Sequence, residues 1–213
     1  FYNKVKVENV PDIITATLEE HGVVEDLLFE KQDGSRATVE KEVPFYAGQK
    51  RIVLGGCGTI NPEDIRNYFA VDGYKALAKC LTEMTPEDVV EEVKKSGLRG
   101  RGGGGFPTGR KWESALKAVG RPKYIICNAD EGEPGTFKDR ELMESNPFQF
   151  LEGVAICSYA VGANAAYIYL RGEFWEVAAF LNEKIEEMEK AGFLGERLFG
   201  TDYSLKIYTH LGA

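Results

Sequence analysis

The chain carries only two histidines, His21 and His210, and they stand at opposite ends of its 213 residues. Neither adjoins a nucleophile motif, so a Ser–His–Asp hydrolase has no support and both read as surface or packing residues. Four cysteines, Cys57, Cys80, Cys127 and Cys157, are scattered without a single C-x2-C pair. Zinc or iron–sulfur ligation within the chain is therefore not expected, and no metal ligand is assigned. The cysteines read as buried thiols of a reducing cytoplasm. The apolar runs, such as residues 153–163, stop well short of the roughly 20 residues that span a bilayer, so no membrane insertion is expected. Positive charge is in deficit: 26 Lys and Arg against 34 Asp and Glu leave a net charge of −8. Phosphate backbones are bound through Lys and Arg, so nucleic acid is not the expected partner. An initiating Met and a visible signal peptide are also lacking, and the last residues follow directly on a strand-like run. The expectation is an internal fragment.

What the sequence has in excess is glycine. There are 24, about a ninth of the chain, against a typical ~7%. Seven of them fall between Gly97 and Gly109. The surrounding composition, 43% hydrophobic and 28% charged, is that of a globular protein, so the cluster is a local device and not a sign of disorder.

Residues 1–30 read as strand, helix, strand: Val5 and Val7 alternate with lysines, Pro11 opens a helix, Gly22 closes it, and residues 23–29 form a second strand. Thirty residues cannot bury a core alone, so this stretch reads as the tail of a preceding domain, with residues 31–42 as a polar linker. Residues 43–96 read as a helical lead-in, with a strand-like Arg51-Ile52-Val53-Leu54 and three helices over 62–70, 74–84 and 86–96. The third has Thr85 as N-cap, Pro86 at its first position, acids in its first turn and lysines in its last. From residue 97 to 213 strands alternate with helices: strands over 123–128, 165–171 and 203–209, helices beginning at Asn146-Pro147 and over 173–191. That alternation predicts an α/β domain with a mainly parallel sheet and flanking helices. Ligands of such sheets bind beyond the carboxyl ends of the strands, which directs attention to the loop after Asn128.

Two constellations carry chemistry. The run Gly100-Arg101-Gly102-Gly103-Gly104-Gly105-Phe106-Pro107-Thr108-Gly109-Arg110-Lys111-Trp112 suits an anion. Glycines let backbone N–H groups close on phosphate, and Arg101, Arg110, Lys111 and a helix start near Lys111 supply positive charge. The dinucleotide spacing G-x-G-x-x-G is met by Gly100, Gly102 and Gly105, but a helix rather than a strand precedes it. A phosphate-loop NTPase needs Gly-Lys-Ser/Thr, and here Gly109 is followed by Arg110-Lys111-Trp112. The second constellation is Asn128-Ala129-Asp130-Glu131-Gly132-Glu133-Pro134-Gly135. Three carboxylates in four residues at a strand's end fit hydroxyls, ring nitrogens or a cation. The EF-hand spacing is absent, while paired carboxylates for glycoside hydrolysis and a merely solvated turn stay open. Together, a basic glycine cradle and an acidic loop suit a phosphorylated cofactor with a polar tail. Tyr167 and Tyr169 read as sheet residues.

Residues 96–109 (SGLRGRGGGGFPTG), Lys111-Trp112 and residues 126–140 (ICNADEGEPGTFKDR) resemble the NADH-binding flavoprotein subunit of respiratory complex I. They equally resemble its relatives in NAD-reducing hydrogenases, NAD-dependent formate dehydrogenases and electron-bifurcating complexes. Glu152-Gly153, residues 167–173 and residues 210–213 continue the resemblance, which covers roughly 45–213. It implies FMN in an α/β domain with NADH stacked on the flavin. Gly100, Arg101, Gly102 and Lys111 then correspond to the FMN cradle, Asn128, Asp130 and Glu131 to its polar contacts, and Gly105, Phe106 and Glu133 to the NADH side. Ser114 stands where the complex I branch often has a second aromatic. The implied reaction is hydride transfer from nicotinamide to flavin, which needs two rings held in contact and no catalytic acid or base. Electrons then pass singly to iron–sulfur clusters of partner subunits in a hydrogenase, formate dehydrogenase or complex I-like assembly. The alternative is a non-catalytic electron-transfer or scaffold subunit that keeps the fold. The resemblance places a [4Fe–4S] domain beyond residue 213. It also makes the first thirty residues look like the end of a thioredoxin-like [2Fe–2S] domain, with a cytoplasmic location or a place in the peripheral cytoplasmic arm of a membrane complex.

Overall fold

The computed structural model describes residues 2–212. Phe1 and Ala213, the outermost residues of the expected domains, lie outside the described residues. The chain divides between Ile52 and Val53 into two units.

In the first unit a 3-10 turn, Val7–Asn9, leads into α1 (Val10–Ile13), with Pro11 in the first turn, and on through a wide π-type turn at Ile14–Glu19. Val7 therefore opens a helix and is not part of a strand. The expected strand over 23–29 shrinks to β1 (Phe29–Glu30), because a 3-10 turn occupies Glu25–Leu27. Within the stretch read as a linker, β2 (Arg36–Ala37) pairs antiparallel with β1. A short helix, α2 (Pro44–Ala47), follows. Leu28, Ala37 and Val43 are buried. The strand expected at Arg51–Leu54 does not form: Ile52, Val53 and Leu54 are exposed, and turns follow as Cys57 N–H bonds to Leu54 C=O (3.2 Å) and Thr59 N–H to Gly56 C=O (3.1 Å). An apolar run without a partner strand does not hold an extended chain.

The second unit begins with α3 (Ile65–Ala70), α4 (Lys75–Glu83) and α5 (Pro86–Lys95). Helix α5 starts with a reciprocal cap: Asp88 N–H donates to Thr85 Oγ1 (3.2 Å) while Thr85 N–H donates to Asp88 Oδ2 (3.0 Å). Gly97, at φ +68°, ends it. After the glycine run come α6 (Thr108–Lys117), β3 (Tyr124–Ala129), α7 (Lys138–Ser145), α8 (Pro147–Val161), β4 (Ala165–Leu170), α9 (Trp175–Lys190) and β5 (Lys206–Leu211). The sheet is parallel in the order β3-β4-β5, with Cys127 opposite Ile168 and Ala129 opposite Leu170. The α/β architecture expected from the alternation is therefore present.

Helix α8 is the hub. It touches α4, α5, α6, α7, α9, β3 and β4, and Phe148, Leu151, Val154, Ala155 and Ala160 along it are buried. Each large apolar side chain removed from water contributes about 2 kcal/mol, so this helix does much of the packing. The sheet meets the core on one face through Ile125, Cys127, Ala129, Ala166, Ile168, Leu170 and Ile207. Its other face carries Tyr124, Ile126, Tyr167, Tyr169 and Tyr208, all exposed. Tyr167 and Tyr208 stack there at 5.3 Å. Among the described residues, no helix is long and apolar enough to cross a membrane.

Candidate functional site

The glycine run folds back on itself. Gly100 N–H donates to Phe106 C=O (2.9 Å), Thr108 N–H to Leu98 C=O (2.9 Å), and Arg99 bridges Pro107. The Arg99 Nε–H closes the loop by donating to Gly105 C=O (2.5 Å). Between these anchors the backbone needs positive φ at Gly103 (+99°) and Gly105 (+57°), conformations that suit glycine. Cβ atoms built on Gly102, Gly103 and Gly104 would meet nothing, so the tip faces open space. Gly109 differs: a Cβ there would come within 2.6 Å of the Lys94 backbone nitrogen, so its lack of a side chain seats α6 against α5.

Around this loop stand Arg101, Arg110 and Lys111, all exposed. Among the described residues their side chains have no hydrogen-bond or ion-pair partner. By contrast, the neighbouring Lys94 is engaged with Glu91 (2.6 Å) and Glu113 (3.3 Å). Arg101 lies within the open glycine run, while Arg110 and Lys111 lie in the first turn of α6 that follows it. Unpaired cations flanking such a run suit a phosphate, so the residue types present fit the phosphate end of FMN.

The acidic loop lies at the carboxyl end of β3. Asn128 Oδ1 accepts from Asp130 N–H (3.0 Å), and the next two N–H groups turn back as well, Glu131 to Ala129 C=O and Gly132 to Asp130 C=O (both 3.1 Å). Asp130 and Glu133 are exposed, whereas Glu131 is buried. Glu131, expected among the polar contacts of FMN, is engaged within the chain through its carboxylate. Its carboxylate accepts from Asp139 N–H (2.9 Å) and Arg140 N–H (3.2 Å), capping α7, with Lys138 3.8 Å away. The Asn128 amide N–H2 has no hydrogen-bond partner among the described residues, and Asn128 shares a row across the exposed sheet face with Tyr169 and His210, whose rings stack at 5.8 Å.

Lys111 and Cys127 also line one cavity of about 560 Å3 that runs along β3, with Trp112, Phe150, Val154 and Cys157. The glycine-loop helix and the strand of the acidic loop thus share a wall. Burial, with a smaller contribution from Asp139, pushes the Cys127 thiol up to about 11. Burial, then Cys127, pushes the Cys157 thiol up to about 12, and Lys111 opposes this. Both stay protonated near neutrality, which removes them as thiolate nucleophiles. Cys80 is buried, while Cys57, Cys127 and Cys157 are half-buried, so the four are not uniformly core thiols. Phe106, expected on the nucleotide side, is 60% exposed.

Sequence reasoning passes over two contributors. Glu152 on α8 is buried and accepts from Tyr68 O–H, Tyr74 N–H (3.1 Å) and Leu77 N–H (2.9 Å), which caps α4 from another element. Arg171, just past β4, donates from Nη1 to Glu131 C=O (3.0 Å) and from Nη2 to Glu173 Oε1 (3.0 Å). Both sit in motifs that the resemblance covers, yet their roles come from packing across the chain.

The fold is that of an α/β domain with a parallel sheet and flanking helices, and residues 93–212 match the family described as the Nuo51 FMN-binding domain. The chain belongs to that family. It is 50% identical over 149 residues to an NADH-quinone oxidoreductase subunit of Rhizobium meliloti (strain 1021), covering 70% of this chain and 35% of that protein. It is 47% identical over 165 residues to the NADP-reducing hydrogenase subunit HndC of Solidesulfovibrio fructosivorans, covering 78% and 33%. Among solved structures, an air-oxidized NAD+-reducing [NiFe]-hydrogenase aligns over 100% of this chain and 32% of its own, with a TM-score of 0.59 and 26% identity. The chain spans about a third of the length of the curated relatives it matches.

Proposed function

We propose that this chain supplies the FMN- and NADH-binding part of an NAD(H) oxidoreductase that passes electrons to iron–sulfur clusters of a multi-subunit complex. The observation that carries the reading is the pairing of an open glycine loop bearing unpaired Arg101, Arg110 and Lys111 with exposed carboxylates at the end of β3. The Gly102 backbone, with Arg101 and Lys111, holds the FMN phosphate, and Gly100, whose N–H is taken by the Phe106 carbonyl, anchors the base of that cradle. Asn128 and Asp130 meet its hydroxyls and ring edge, while Glu131 supports the loop from behind. Gly105 leaves room for the nicotinamide nucleotide, Phe106 stacks on it, and Glu133 accepts from its hydroxyls. When bound, FMN supplies a hydride acceptor that releases electrons one at a time. The residues of this chain orient the two rings and give up no proton, so the rate rests on alignment.

In this reading residues 97–213 are the N-terminal part of the FMN domain, 43–96 its helical lead-in, 31–42 a linker and 1–30 the end of a [2Fe–2S] domain. A [4Fe–4S] domain is carried elsewhere in the longer protein. The partners are iron–sulfur subunits of a hydrogenase, formate dehydrogenase or complex I-like assembly, working in the cytoplasm or on its side of a membrane complex. The test is the purified full-length protein. It is expected to carry flavin absorbance and to reduce ferricyanide with NADH, and Glu133→Ala is expected to raise KM for NADH about tenfold through loss of a charge-assisted bond. A protein that binds no FMN would end the reading.

A further inference from the structure

The strand ladder between β3 and β4 stops at Ala129 opposite Leu170. Just beyond it, the connection changes hands from backbone to side chain. The Arg171 guanidinium reaches the Glu131 carbonyl at 3.0 Å, and its other nitrogen is held by Glu173 at 3.0 Å. Its face lies over the Phe174 ring, 5.8 Å from the centroid. Three contacts on one planar group restrict the side chain in a way that a lysine ammonium does not reproduce. Glu131 is also fixed from the opposite side, since its buried carboxylate caps α7. One residue in the middle of the acidic loop is thus held through its main chain by Arg171 and through its side chain by α7.

We propose that Arg171 is a positioning residue: by holding the Glu131 carbonyl it sets the shape of the loop that aims Asp130 and Glu133. Its hydrogen bonds go to the loop and to Glu173, so it acts through the carboxylates that the loop carries. The functional consequence rests on the FMN reading above, whereas the effect on loop order does not.

The test uses the full-length protein with Arg171→Gln, Arg171→Lys, Asp130→Asn and the Arg171→Gln/Asp130→Asn double variant. Hydrogen exchange of residues 130–140 is followed without added flavin, and FMN alone is titrated by quenching of its fluorescence. Arg171→Gln is expected to speed exchange across 130–137, leave the strands protected, and weaken FMN about tenfold, the scale of loss expected from sub-ångström misplacement. Arg171→Lys, which keeps the charge and guards against a variant that does not fold, is expected to speed the same exchange. Because Arg171 acts through the loop, the double variant should bind FMN within about twofold of the weaker single variant. Unchanged exchange in both Arg171 variants, or FMN losses that simply multiply, overturns the proposal. Wild-type protein that binds no FMN while the exchange still responds overturns the functional reading and leaves the positioning role standing.

Discussion

The glycine loop and the acidic loop are built on opposite plans. The first is held at its base by a few backbone bonds and one arginine, Arg99, and its tip at Gly102–Gly104 has nothing around it. The second has three consecutive N–H groups, those of Asp130, Glu131 and Gly132, turned back within it and a buried carboxylate, Glu131, at its centre. An anion with three equivalent oxygens tolerates an adaptable cradle, whereas hydroxyls and ring edges need acceptors at fixed places. The comparison teaches that the cation-rich side can close on its ligand while the carboxylate side has to be set beforehand.

Substitutions sharpen this contrast, in order of expected effect. Gly109→Ala tests where the adaptable region stops. Its Cβ would press on the Lys94 backbone, so a stability loss of about 3 kcal/mol is expected in urea unfolding. A loss below about 1 kcal/mol would mean that α5 and α6 separate easily. Glu131→Ala removes the acceptor of two helix-start N–H groups and is expected to cost about 2 kcal/mol, with faster amide exchange at Asp139 and Arg140. Preserved exchange rates there would show that water caps α7 equally well. Gly103→Ala meets only the torsional penalty of φ +99°, with no clash, and about 1 kcal/mol is expected from the same unfolding measurement. If Gly103→Ala proved costlier than Glu131→Ala, the two loops would have to exchange descriptions.

How much of the fold and site is legible in the sequence follows from how local each cause is. The cap of α5 lies within four consecutive residues, Thr85 to Asp88, and can be read directly. The alternation of β3, β4 and β5 is equally plain, because inward residues such as Ala166, Ile168 and Leu170 repeat every second position. Helix α7 escapes such a reading. Its residues are mostly charged, Met143 is its one buried side chain, and its cap comes from Glu131 across the intervening loop. For the same reason the helix-capping bonds of Glu131 are not legible in the sequence: a carboxylate beside Asp130 and Glu133 gives no local sign that it is buried. Arg51–Leu54 misleads in the reverse direction, since an apolar run shows no sign that its partner strand is missing. The glycine and acidic motifs mark the two loops in the sequence, but which carboxylates face outward is decided by packing.

The sheet has a further consequence. Strand β3 is the outermost strand of its side, and four of its six residues line the 560 Å3 cavity. A parallel edge strand next to an exposed tyrosine face is of the kind that proteins usually cover or blunt. No proline or inward charge within the strand blunts it, and the cation just before it, Lys123, is already engaged with the Ala115 and Leu116 carbonyls. The net charge of −8 and this edge therefore pull in opposite directions: charge repels copies at long range, while an unpaired strand edge acts at contact.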